Sequence, residues 1–146
     1  MANARVTALR MLAQRRLSEF QLWQRLEHKG FSEHDVRAAV EACKRDGYVD
    51  DRLFAELFVE QKRKAVGDVR MVGELVKRGV GRDAARAAVR GAGRDEQARI
   101  ESAIDKLFRT RSTLSYPSAA RALERLGFPA ALIYSRLRER AEASTR

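Results

Sequence analysis

The sequence predicts an all-α protein built from three tandem three-helix repeats of about 48 residues each. Apolar residues recur at helical spacing along almost the whole chain, and only two prolines, Pro117 and Pro129, interrupt it. A glycine also recurs in the same local context at Gly30, Gly79 and Gly127, which are 49 and 48 residues apart. A period in this range is typical of modular arrays, which offer one long surface to polymers or partner proteins.

The recurring glycines divide the chain into units. We place the first repeat at residues 1–49, the second at 50–94 and the third at 95–142, followed by a frayed tail at 143–146. Within each repeat the glycine ends the middle helix, because glycine accepts left-handed backbone at little cost. The predicted helices are about 12–14, 11 and 12 residues long in each repeat.

The apolar residues of each predicted helix fall on one face at a spacing of 3.6 residues. No strong alternation of the kind that marks a β-strand is present. In chain order, the predicted apolar stripes are Val6, Leu9, Leu12 and Ala13; Phe20, Trp23 and Leu26 backed by Leu22; Val36, Ala39, Val40 and Cys43; Phe54, Leu57 and Phe58; Val69, Val72, Leu75 and Val76; Ala85, Ala88 and Val89; Ile100, Ile104, Leu107 and Phe108; Ala119, Ala122, Leu123 and Leu126; and Leu132, Ile133 and Leu137.

Several polar residues are predicted to begin helices. Ser18 and Gln21 have the spacing of a capping box, and Ser32 can cap the next helix. The adjacent carboxylates Asp50 and Asp51 could bind a metal, but a structural role is favoured. In that role Asp50 caps a helix and Asp51 lies at its positive end.

The sequence does not indicate an enzyme, a metal site or a cofactor. His28 and His34 lack the spacing of a zinc pair, and no nucleophile–base arrangement or phosphate-binding loop is recognisable. The single cysteine, Cys43, allows no disulfide within the chain, so we expect a cytoplasmic protein. No segment resembles a signal peptide or a membrane span, and we expect a monomer.

The chain is strongly basic, with a net charge of +10 and a pI near 10.6, which favours a polyanionic partner over a merely solvated surface. Cations recur at the ends of the first and second helices of each repeat. The helix dipole accounts for one or two of them, but not for the triple Lys62-Arg63-Lys64. Trp23 is predicted to lie in the core rather than to stack on bases. The candidate partner- or DNA-binding residues are Arg15, Arg16, Lys29, Lys62, Arg63, Lys64, Arg70, Lys77, Arg78, Arg86, Arg109, Arg111 and Arg125.

A set of short motifs resembles the RecX family of bacterial recombination regulators, over nearly the whole chain. Each motif is weak alone, but their order and spacing are fairly specific. They are Leu17-Ser18 through Leu26, Lys29-Gly30-Phe31, Gly47-Tyr48-Val49-Asp50-Asp51 and Phe54-Ala55, with Gly67, Glu74-Leu75 and Arg78-Gly79-Val80 in the second repeat.

The resemblance implies an elongated, curved array that binds RecA and lies in the helical groove of the RecA–DNA filament. Such a protein restrains filament growth and modulates RecA's ATPase, strand-exchange and co-protease activities in DNA repair and the SOS response. It implies no catalytic residue, and weak binding of single- or double-stranded DNA is a further expectation.

Two alternatives come from the residues themselves. One is a direct DNA-binding protein made of tandem helix-turn-helix-like modules, because three helices with a tight turn before the third also describe those modules. However, its third helices would begin with Glu33-His34-Asp35, Arg82-Asp83-Ala84 and Ala130-Ala131-Leu132, which are poorly suited to reading bases. The other is a helical scaffold for an acidic protein unrelated to recombination.

Overall fold

The computed structural model describes residues 3–145, and within this range the chain forms nine α-helices and no β-strand. The all-α prediction is therefore confirmed. The helices are α1 (Ala4–Gln14), α2 (Glu19–His28), α3 (Glu33–Arg45), α4 (Asp51–Gln61), α5 (Asp68–Lys77), α6 (Arg82–Arg90), α7 (Glu96–Thr110), α8 (Tyr116–Arg125) and α9 (Ala130–Ser144).

The helices pack in three successive groups of three, each around its own apolar core, which confirms the predicted array of three-helix repeats. Leu22, Leu26 and Val36 are fully buried in the first core. Met71 and Leu75 take the same role in the second, and Leu123 in the third. The exact boundaries of the repeats stay predictions.

The three recurring glycines adopt the backbone that the sequence predicts. Gly30, Gly79 and Gly127 have φ of 95°, 93° and 91°, in the left-handed region, and each follows the middle helix of its group. A side chain there costs about 1–2 kcal/mol of backbone strain, so the recurrence of glycine has a direct conformational reason.

The predicted helix caps are also present. The Ser18 hydroxyl accepts the Gln21 amide, while the Gln21 side chain accepts the Ser18 amide, which completes the capping box. The Ser32 hydroxyl caps α3 by accepting the Asp35 amide, and the Asp50 carboxylate caps α4 by accepting the Leu53 amide.

The structure corrects three of the predicted apolar stripes. In α1, Val6 and Leu9 are 39% and 36% exposed, and the buried residues are Ala4 and Ala8. Small side chains on this face let α1 lie close to α3, its main neighbour. Because the large apolar residues of α1 lie on more than one face, and only Met11 and Leu12 pack against the core, its inward face could not be identified from hydrophobicity alone.

In the middle helices α2 and α5, one predicted residue of each apolar stripe also faces solvent. Phe20 is 47% exposed and Val69 is 76% exposed, whereas Leu22 and Met71 are buried. Trp23 packs against the first core but stays partly exposed, with the Arg37 guanidinium 5.3 Å from its ring centre.

The C-terminal helix extends further than predicted. Helix α9 continues to Ser144, past the predicted end of the third repeat at residue 142. Arg146, the last residue of the predicted frayed tail, lies outside the described residues.

Neighbouring groups join through hydrogen bonds that recur in register. At the first junction the Glu19 amide donates to Asp51 Oδ1 at 2.8 Å, and the Ser18 hydroxyl donates to the Arg78 carbonyl. At the second junction the Asp68 amide donates to Glu96 Oε2 at 2.7 Å. There the Gly67 amide donates to the Leu126 carbonyl at 2.8 Å. The starts of α2 and α5 thus contact the first helix and the glycine turn of the next group.

Candidate polyanion-binding cleft

A basic cleft of about 590 Å³ opens at the second junction, between the second and third groups of helices. None of the described residues that line it is a carboxylate. Its apolar floor is formed by small and aliphatic side chains such as Ala103 and Leu107. Seven cationic side chains line it, namely Arg63, Lys64, Arg70, Arg94, Lys106, Arg109 and Arg125.

Five different elements bring these cations together. The loop after α4 supplies Arg63 and Lys64, the first turn of α5 supplies Arg70, and α7 supplies Lys106 and Arg109 one turn apart. The end of α8 and the linker before α7 supply the other two cations.

The buried Arg99 ties the walls of the cleft to one another. Its side chain is only 8% exposed and forms an ion pair with Asp68 at the start of α5. It also donates to the Val66 carbonyl at 2.6 Å and to the Arg94 carbonyl at 3.1 Å. The loops on either side of the cleft are thereby held by one guanidinium, whose planar fork of donors suits several acceptors at once.

Some of the basic residues are already paired within the protein. Glu74 lies 2.7 Å from Lys62 Nζ and 3.2 Å from Arg70 Nε. Burial by itself raises the pKa of Glu74, but the close contacts and the positive charges of Lys62 and Arg70 together outweigh it, and the pKa lies below its usual range. Lys62 is also 5.7 Å from the centre of the Phe58 ring. Its charge therefore serves the fold, and only two cations of the predicted triple face the cleft.

Arg78 has a similar structural use. It donates to the Glu74 carbonyl at 2.9 Å and lies 4.6 Å from the centre of the Phe58 ring. By contrast, six of the cations that line the cleft form no ion pair with any residue between 3 and 145. They are Arg63, Lys64, Arg94, Lys106, Arg109 and Arg125.

The structure therefore sorts the thirteen predicted residues into separate places. Five line the cleft, namely Arg63, Lys64, Arg70, Arg109 and Arg125. Lys62 and Arg78 are engaged with Glu74 and Phe58. The other six lie outside the cleft, namely Arg15, Arg16, Lys29, Lys77, Arg86 and Arg111.

Sequence reasoning missed two cations of the cleft. Lys106 could have been found, because it lies one turn before Arg109 and so shares its face of α7. Arg94 gives no such signal, because it follows the glycine-rich linker. Its side chain is placed by hydrogen bonds to Ser102 Oγ and the Ala98 carbonyl.

The adjacent carboxylates Asp50 and Asp51 have the structural roles that were favoured. Asp50 caps α4, and Asp51 accepts the Glu19 amide across the first junction. Burial raises the pKa of Asp51, although the Glu19 hydrogen bond opposes this. Between residues 3 and 145, no three His, Cys, Asp or Glu side chains lie together as metal ligands. Over the same range, no helix has the length and apolar character that crossing a membrane requires.

Similarity to known proteins extends over most of the chain. A family model described as "RecX, first three-helix domain" matches residues 4–43. The regulatory protein RecX of Thermobifida fusca is 32% identical over 97% of this chain and 80% of its own length. The regulatory protein RecX of Thermus thermophilus is 32% identical over 88% of this chain and 85% of its own length.

A third relative matches only in part. RecX of Caldanaerobacter subterraneus is 40% identical over 53% of this chain, and the matched segment is 40% of that relative. Among solved structures, RecX from Lactobacillus salivarius has a TM-score of 0.80 at 17% identity, covering 93% of both chains, which shows the fold. The relatives that match most of their own length show the family, and this chain belongs to the RecX family of regulatory proteins.

Proposed function

We propose that this protein binds RecA and lies in the helical groove of the RecA–DNA filament. There it restrains filament growth and modulates RecA's ATPase, strand-exchange and co-protease activities in DNA repair, recombination and the SOS response. The observation that carries the proposal is the 32% identity to a regulatory protein RecX over 97% of this chain.

The cleft is consistent with this role. Six cations without a carboxylate partner face one opening, and their mutual repulsion is relieved when an anionic polymer binds. An array of similar units also suits a long partner, since it presents its contacts along one direction. We propose a regulatory role without catalysis, carried out by a monomer in the cytoplasm.

Direct reading of DNA sequence is less well supported. The first residues of α3, α6 and α9 are exposed except for Ala84 and Leu132, which are partly buried. They are mostly acidic or apolar rather than the amides and guanidiniums that read base edges. In addition, the Arg37 guanidinium further along α3 is already paired with Glu33 at 3.0 Å, so it is not a free donor for a base edge.

The test is RecA's ATP hydrolysis and strand exchange on single-stranded DNA with this protein added below the RecA concentration. We expect inhibition of both, together with co-sedimentation of the protein with preformed filaments beyond its sedimentation with DNA alone. Folded protein that is inactive in both assays would contradict the proposal.

A matched pair of variants tests the cleft within this role. We expect Arg63→Ala/Lys64→Ala to weaken filament binding more than Arg82→Ala/Arg90→Ala, which removes equal charge from exposed positions on α6 outside the cleft. Equal loss in both variants would assign the effect to net charge rather than to the cleft.

A further inference from the structure

A second groove lies between α8 and α9, with a volume of about 500 Å³. Two tyrosines border it, Tyr116 at 38% exposure and Tyr134 at 61%. Arg121 and Arg138 stand beside them, and Glu124 is the one carboxylate among the described residues that line it.

The tyrosine rings border the groove without being covered. The Tyr116 ring packs edge-on against Phe108, with 5.6 Å between the ring centres. Pro117, Ala120 and Leu137 form an apolar floor in the groove. Aromatic rings that are supported by the fold yet open to solvent offer flat surfaces for stacking.

This groove is close to the basic cleft, because both are built on α8. Arg121 lines the groove and Arg125 lines the cleft, and they are one helical turn apart. Residues four apart lie on the same side of a helix, so positive charge continues along α8 from one opening to the other.

We propose that the third group of helices binds single-stranded nucleic acid. Its phosphate backbone occupies the basic cleft and runs along α8 past Arg125 and Arg121, and its unpaired bases stack on Tyr116 and Tyr134. This inference deepens the proposed function, because it names the component of the nucleoprotein filament that the cleft takes, and it is tested without RecA.

The combination of features selects this ligand. The cations of the cleft would attract any polyanion, including an acidic polypeptide or duplex DNA. Exposed aromatic rings next to guanidinium groups add a surface for unpaired bases, which a duplex keeps stacked inside. A single strand can use both features at once, because its phosphates contact the cations while its unpaired bases stack on the aromatic rings.

The experiment measures binding of a fluorescently labelled oligothymidine by anisotropy, over a range of salt concentrations. Arg109→Ala/Arg125→Ala should reduce the slope of log K against log salt by about 1.4, because each lost phosphate contact on a single strand contributes about 0.7. Arg82→Ala/Arg90→Ala, outside the cleft, should leave the slope unchanged.

Removing the tyrosine rings should instead change the affinity without changing its salt dependence. Tyr116→Ala/Tyr134→Ala should weaken binding by about 5- to 150-fold for each ring while the salt slope stays the same. Tyr116→Phe/Tyr134→Phe should restore binding, since a phenyl ring keeps the stacking face. Tyr48→Ala is the matched control, because Tyr48 is 60% exposed and belongs to the first group of helices.

Three outcomes would overturn the inference. They are unchanged binding in the Tyr→Ala pair despite a normal circular dichroism spectrum, binding of duplex as tight as that of the single strand, and displacement by poly-glutamate as readily as by unlabelled oligonucleotide. Continued inhibition of RecA in any of these cases would leave the proposed function standing and reject only the nucleic-acid site.

Discussion

Replacing Gly67 with serine tests how closely the second and third groups of helices are joined. A Cβ at Gly67 would lie 2.1 Å from the Gly127 carbonyl oxygen and 2.6 Å from the Phe128 amide nitrogen. Both atoms belong to backbone, which cannot rotate away as a side chain can. Gly67 has an ordinary φ of −74°, so the expected cost is steric rather than conformational.

Serine sharpens the test because it is a good helix cap. Ser18 caps α2 at the corresponding position of the first junction, where its hydroxyl also donates to the Arg78 carbonyl. Capping alone would make Gly67→Ser neutral or slightly stabilising. The forced separation of the two backbones should instead destabilise the protein by about 1–3 kcal/mol.

Urea denaturation followed by circular dichroism gives the free energy of unfolding. Gly73→Ala is the control on the same helix, because a Cβ at Gly73 meets no atom within 4 Å. That substitution should stabilise by about 0.8–1 kcal/mol, the difference between alanine and glycine in a helix interior. A Gly67→Ser variant as stable as the parent would refute the close junction.

Three further predictions follow from individual contacts. Gly79→Ala should cost more stability than Gly30→Ala in urea denaturation, because both glycines have positive φ but only Gly79 would place a Cβ 2.1 Å from Phe20 Cβ; equal losses would contradict the packing difference. Lys62→Met should lower the free energy of unfolding by about 1–3 kcal/mol by leaving Glu74 with one partner fewer, and an unchanged value would show that the 2.7 Å pair contributes nothing. The lowered pKa of Glu74 means that its contribution to stability is present above the ordinary carboxyl range and is lost as pH falls through the folded-state pKa. Glu74→Gln should therefore be less stable than the parent at neutral pH, and this difference should shrink in acid; a constant difference would reject the linkage.

Much of the fold follows from local signals in the sequence. The turns at Gly30, Gly79 and Gly127 require left-handed backbone, and their recurrence alone marks the three groups. The caps at Ser18 and Asp50 also act over a few residues, so the pattern identifies them reliably. Signals of this range do not depend on how the groups pack.

The failures arise where tertiary packing decides the outcome. Val6 and Leu9 are predicted on the inner face of α1, yet close approach to α3 favours the smaller Ala4 and Ala8. Hydrophobicity ranks side chains by transfer energy and takes no account of the distance between two helices.

The same limit applies to the candidate site. Lys62, Arg63 and Lys64 are equivalent as three consecutive cations, but only the first reaches Glu74 on α5. Their different roles depend on which side of a loop faces a neighbouring helix, and no local pattern records that. The cleft itself depends on five separate elements, so its membership could be only partly predicted.

The two junctions explain why the basic cleft forms at the second one. Asp50 caps α4 and Asp95 caps α7. The fourth residue after Asp50 is the apolar Phe54, whereas the fourth residue after Asp95 is the buried Arg99. Because this guanidinium is buried, it requires hydrogen-bond acceptors within the protein. It donates to the Val66 and Arg94 carbonyls in the loops beside the cleft. Those loops also carry Arg63, Lys64 and Arg94, so their backbone is ordered before any ligand binds. Because less loop entropy is then lost on binding, the cations of the cleft can hold an anionic polymer more tightly than equal charges on an untethered loop.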